Sequence, residues 1–91
     1  MKTIHAVIRG RVQGVGFRFF VMREAASRDI NGFVRNMEGG EGVEVVASGD
    51  ASAVAGFVGM LWTGPQGAEV TDVTTHHVET APVYSDFTIH H

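Results

Sequence analysis

The run Ile8-Arg9-Gly10-Arg11-Val12-Gln13-Gly14-Val15-Gly16-Phe17-Arg18 decides how the rest of the chain is read. Upstream of it, Ile4, Ala6 and Ile8 alternate with His5, Val7 and Arg9, the period of a strand with one buried face, which predicts a first strand to about Val12. Downstream, Phe17, Val21 and Ala25 recur four apart with Met22 beside them, which predicts a helix from Phe17 to about Asp29. Between the two, Gly10, Gly14 and Gly16 let backbone amides turn inward where a side chain would block them. A strand end, a glycine turn and a helix N-terminus therefore meet at one point. Successive N–H groups in such a turn form a nest, the helix start adds partial positive charge, and Arg18 adds a full charge with a planar fork of donors. All three favour a phosphate-like dianion. Arg18 falls inside the apolar arc of the helix, where a charge packs badly, but from the first turn it can point off the helix end into a cavity. The competing reading is an arginine that snorkels to solvent.

Outward from this run, Asn31-Gly32 breaks the helix and Phe33 to Met37 reads as a second strand. Glu38-Gly39-Gly40-Glu41-Gly42 is a hairpin loop leading to a third strand, Val43 to Ala47. Gly49-Asp50 stops the sheet, and Asp50 or Ser52 caps a second helix whose Val54, Phe57, Val58 and Leu61 stand at i, i+3, i+4 and i+7. Gly56 and Gly59 weaken that helix, so it depends on tertiary packing or admits a close backbone neighbour. Gly64-Pro65-Gln66-Gly67 ends it. Val70 to Val78 predicts a fourth strand, with a slip of alternation between Val70 and Val73 that signals a bulge, and Asp86 to His90 predicts a short fifth.

Strand, helix, strand, strand, helix, strand, strand is the α+β, ferredoxin-like split βαβ arrangement, an α/β sandwich with two helices on one face of an antiparallel sheet of four to five strands. Right-handed crossovers put the third strand between the parallel first and second, so Val12 and Asn36 reach the same sheet edge about 10 Å apart, two strand spacings. The last strand then runs parallel to the first and carries the terminal carboxylate of His91 towards Arg18, with which it is expected to pair when no ligand is bound.

With 91 residues, 44% hydrophobic and 19% charged, residues 1–91 are expected to form a single globular domain. There is no cysteine, hence no disulfide framework and no thiolate chemistry. No basic leader opens the chain and no stretch approaches the ~18 apolar residues of a membrane span, so a cytoplasmic protein without membrane contact is expected. A net charge of −3 argues against a nucleic-acid partner. Within that acidic total, Arg9, Arg11, Arg18, Arg23, Arg28 and Arg35 cluster early, as suits a small local anion site.

The opening run resembles the first signature of the acylphosphatase family: aliphatic, any, Gly, any, Val, Gln, Gly, Val, any, Phe or Met, Arg. Every fixed position is met from Ile8 to Arg18. A second signature of that family, Gly, aromatic, small apolar, basic or amide, Asn, is met by Gly32-Phe33-Val34-Arg35-Asn36. The resemblance covers nearly the whole chain. It implies a small, ferredoxin-like, metal-independent hydrolase of acyl phosphates, in which Arg18 binds the phosphate and Asn36 orients the attacking water. One departure is a one-residue insertion in the 38–42 hairpin, where added length costs little.

The residues accommodate this chemistry. An acyl phosphate releases a carboxylate with a pKa of roughly 4, so no general acid is required. What remains is neutralising the phosphoryl group and holding a water in line. Arg18 and the backbone of Gln13, Gly14, Val15, Gly16 and Phe17 are the candidate phosphate site. The Asn36 carboxamide is too weak a base to take a proton, but it can hold the water through oxygen and nitrogen together while a phosphate oxygen accepts the proton. The Gln13 side chain either supports the loop or touches ligand. No cofactor or metal is expected: His76-His77 and His90-His91 are adjacent pairs whose side chains point to opposite faces of a strand, and Glu38, Glu41 and Glu44 read as a solvated hairpin. The protein is expected to be a monomer acting on small acyl phosphates and releasing inorganic phosphate. Two rival readings are a non-catalytic binding module serving a carbamoyl-phosphate-using partner and an RNA-binding domain of the same fold. Against the latter, Val43 to Ala47 carries no stacking aromatic.

Overall fold

A computed structural model describes residues 1–90. The elements follow in the expected order: β1 (Lys2–Arg11), α1 (Phe17–Ala26), β2 (Asn31–Asn36), β3 (Gly42–Gly49), α2 (Ala51–Thr63), β4 (Glu69–His77) and β5 (Phe87–His90). The strands form one sheet in the order β4-β1-β3-β2-β5. β3 pairs antiparallel with both β1 and β2, so those two run parallel and end at the same edge. β4 and β5 lie on opposite flanks, so residues 78–86 pass from one flank to the other at the far end of the sheet. There the Val78 N–H donates to Thr3 O and the Gly32 N–H to Asp86 O. β5 then returns parallel to β2, which makes the sheet mixed rather than wholly antiparallel. It brings His90 to the edge where β2 ends. The expected approach of the His91 carboxylate to Arg18 lies outside the described residues.

The two helices cover one face. Ile4, Ala6 and Ile8 of β1, Val34 of β2 and Val43, Val45 and Ala47 of β3 form a single buried cluster with Phe17, Phe20, Val21 and Ala25 of α1 and Val54, Phe57 and Leu61 of α2. Asp50 caps α2, accepting from the Ser52 N–H and hydroxyl. Neither α2 glycine admits a backbone neighbour. A Cβ at Gly59 would meet nothing, and one at Gly56 would meet only the Arg28 guanidinium at 3.6 Å. Of the two expectations for these glycines, dependence on tertiary packing is the one that remains.

Three local expectations are corrected. α1 stops at Ala26 rather than Asp29, because Asp29 takes a left-handed conformation (φ 54°) and the chain folds back with Ile30 buried. Asn31-Gly32 belongs to β2 instead of preceding it. Glu44 is no solvated hairpin charge: on the sheet face away from the helices it pairs with His5 Nε2 at 2.6 Å and accepts from Arg35 Nε. Partial burial alone would raise the Glu44 carboxyl, but the hydrogen bonds from His5 and Arg35, with their charges, outweigh it and hold the group below its ordinary value. The β4 slip is real. Register shifts between Arg9 and Gly10, leaving Thr71 as the extra residue, and a Cβ on Gly10 would lie 2.1 Å from Glu69 O.

Candidate active site

The turn from β1 into α1 is bent by two left-handed residues, Gly14 (φ 74°) and Gly16 (φ 76°). A Cβ at either would meet nothing within 4 Å, so glycine is required there for its backbone angle and not for space. Gly16 is the residue before α1, and no side chain caps the helix. The first helical bond runs from Phe20 N–H to Gly16 O at 3.0 Å. The amides of Phe17, Arg18 and Phe19 come before it and have no acceptor within the helix. No acidic residue occupies the first turn, so no side chain of that turn offsets the positive end of the helix where it meets the glycine turn.

Strand register brings Asn36 beneath this turn. Asn36 stands opposite Val43, which in turn stands opposite Ile8. It shares the helix-facing side of β2 with Gly32 and Val34, so a carboxamide occupies a core-type position at the strand end. Its Oδ1 is buried with no hydrogen-bond partner among the described residues. Arg18, half-buried, donates from Nη1 to His90 O at 3.4 Å, which ties the first turn of α1 to the end of β5.

Gly14, Gly16, Phe17, Arg18 and Asn36, all candidates from the sequence, border one cavity of about 290 Å³; Val12, Phe19 and Ile89 also line it. Gln13 and Val15 do not line it. The Gln13 carboxamide donates to Met37 O at 3.0 Å and Gly42 O at 2.8 Å, so its side chain supports the loop and only its backbone is left for a ligand. Val15 packs against the core. Gln13 thereby joins the glycine turn to the two ends of the hairpin that follows Asn36. The 38–41 stretch of that hairpin is exposed.

Phe19 and Ile89 were not candidates. A signal for Phe19 was present: it is one residue off the buried stripe of Phe17, Phe20 and Val21, which turns an aromatic ring outward beside Arg18. Ile89 had none, since its place depends on β5 pairing with β2. Elsewhere, the His90 ring stacks on Phe33 at 4.5 Å, away from the helix face. Among the described residues no group of three His, Cys, Asp or Glu side chains is placed to hold a metal ion, and no helix is long and apolar enough to cross a membrane.

Comparison with known proteins bears on this geometry. The family model described as Acylphosphatase matches residues 4–89. The chain is 42% identical over 91 residues to an acylphosphatase of Dehalococcoides mccartyi strain CBDB1, covering all of both chains. To an acylphosphatase of Actinobacillus succinogenes it is 48% identical over 82 residues, covering 90% of each. Among solved structures it is similar to acylphosphatase from Bacillus subtilis, with TM-score 0.95, 35% identity and full coverage of both chains. Full-length HypF in its phosphate- and nucleotide-bound form is also similar (TM-score 0.84, 30% identity), but there 99% of this chain matches only 12% of that one.

Proposed function

Because this chain belongs to the acylphosphatase family and hydrolyses acyl phosphates to a carboxylate and inorganic phosphate, we propose that Arg18 and the 13–18 loop bind the phosphoryl group while Asn36 orients the water that attacks it. The convergence of three features on one cavity supports this reading: the helix start at Gly16, the Arg18 guanidinium, and the buried Asn36 Oδ1, which has no hydrogen-bond partner among the described residues.

The steps follow from the chemistry of these groups. The loop amides and Arg18 meet the equatorial oxygens and stabilise the charge on the transferring group. The Asn36 carboxamide holds the water by hydrogen bonding, its oxygen accepting a hydrogen bond from one O–H, which stays intact, so that the water's lone pair faces phosphorus. The P–O bond to the acyl carboxylate breaks as the new P–O bond forms, and the second proton passes to a phosphate oxygen. The carboxylate leaves without protonation because its pKa is roughly 4. Arg18 supplies the positive charge, so the reaction proceeds without a metal ion.

Full-length correspondence with free-standing acylphosphatases, against 12% of HypF, favours the hydrolase over a binding module. The same proposal takes residues 1–91 as one domain acting as a cytoplasmic monomer. The test is phosphate release from benzoyl phosphate in the presence of chelator, with Asn36→Ala as control. Rapid chelator-resistant hydrolysis that the substitution abolishes is expected. Absence of hydrolysis while phosphate still binds would refute the proposal in favour of a binding module.

A further inference from the structure

The phosphoryl group accounts for only part of the cavity. Its volume of about 290 Å³ corresponds to roughly ten waters at about 30 Å³ each, whereas a phosphoryl group and one water comprise five heavy atoms. Among the described residues, the lining side chains that the cradle does not use, Val12, Phe17, Phe19 and Ile89, are all apolar. Val12 and Phe17, each 1% exposed, belong to the core, and Ile89 packs against it. Phe19 does not: it is 64% exposed. A single exposed phenylalanine is ordinary on a protein surface, but this one adjoins Arg18 and borders the cavity in which the phosphate would sit. The acyl group joined to that phosphate through the anhydride oxygen has the remaining space beside it.

Resting on the hydrolase reading above, we propose that Phe19 is the wall against which the substrate's acyl group lies, and that it biases turnover towards acyl phosphates with an aromatic or branched apolar acyl group. An apolar acyl group covers the exposed ring and is itself shielded from water, and an aromatic one gains ring–ring contact besides. Acetyl and carbamoyl groups are too small or too polar to gain as much.

The experiment compares kcat/KM for benzoyl and acetyl phosphate in the wild type, Phe19→Ala and Phe19→Tyr. The benzoyl-to-acetyl ratio falls about tenfold in Phe19→Ala and returns to within about twofold of wild type in Phe19→Tyr, which keeps the ring. Inhibition by inorganic phosphate, which has no acyl group, reports the cradle alone, and its constant stays within about twofold in Phe19→Ala. An unchanged ratio would overturn this inference alone. So would parallel weakening of phosphate inhibition and of both substrates, because that marks a structural role. Wild-type protein that hydrolyses neither substrate would overturn the hydrolase reading, and this inference with it.

Discussion

Replacing Asn36 by leucine should stabilise the protein while destroying its activity. Gly32, Val34 and Asn36 alternate on the helix-facing side of β2, opposite Ala47, Val45 and Val43. Those three and Val34 are fully buried. Asn36 is thus the polar member of an apolar row, and its Oδ1 is buried without a hydrogen-bond partner among the described residues. A buried unsatisfied polar group costs about 1–3 kcal/mol; the lower end applies here because Asn36 borders an open cavity. Leucine has a branched head of similar size and no polar atom, and it suits a half-buried strand position better than asparagine. Asn36→Leu should therefore add about 1 kcal/mol of stability, which in a domain of this size raises Tm by about 4–8 °C. Most core substitutions carry the opposite sign. Loss of the water-orienting group should lower kcat about 10²–10³-fold. Urea unfolding with an unchanged m-value measures the first quantity and benzoyl phosphate hydrolysis the second. A variant destabilised by about 1 kcal/mol or more, or one retaining activity within about fivefold, would refute the argument that this carboxamide is held in place for function at the expense of the fold.

Arg18→Ala should abolish inhibition by inorganic phosphate and lower kcat/KM by at least about 10²-fold, since it removes the one full charge that borders the cavity among the described residues; a wild-type inhibition constant would contradict its assigned role. Gln13→Ala removes two donors from Met37 O and Gly42 O, of which Gly42 O keeps its bond from the Met37 N–H. It should cost about 1–2 kcal/mol in urea unfolding, and an unchanged midpoint would show that the hairpin does not need this tether. Glu44 ionises in the folded chain below its ordinary 4.5, so as pH falls the unfolded chain takes up the proton first. Its contribution is full above about pH 4.5 and is lost as pH drops through the folded value. Glu44→Gln should flatten the fall of Tm between about pH 5 and 3, and an acid limb as steep as that of the wild type would exclude the His5–Glu44–Arg35 cluster as its source.

What the sequence by itself determined is what neighbours along the chain impose on one another. Alternation in Ile4, Ala6 and Ile8 and the four-residue spacing of Phe17, Val21 and Ala25 report which side of each element meets the core, and from them the element order and the position of β3 between β1 and β2 follow. The glycine turn is equally local, because Gly14, Gly16 and the start of α1 lie within a few residues of one another. Only the tertiary structure decided what stands opposite. Gln13 reads as either a ligand contact or a support until carbonyls 24 and 29 residues away take its two donors. Glu44 reads as a hairpin charge until β1 brings His5 from 39 residues away. Ile89 enters the cavity wall because β5 returns along β2, and Phe19 acquires a setting because the cavity forms beside it. The physical reason is that periodicity encodes the face a side chain presents, whereas the group across from it depends on strand order and register, which are set by burial over the whole core at once.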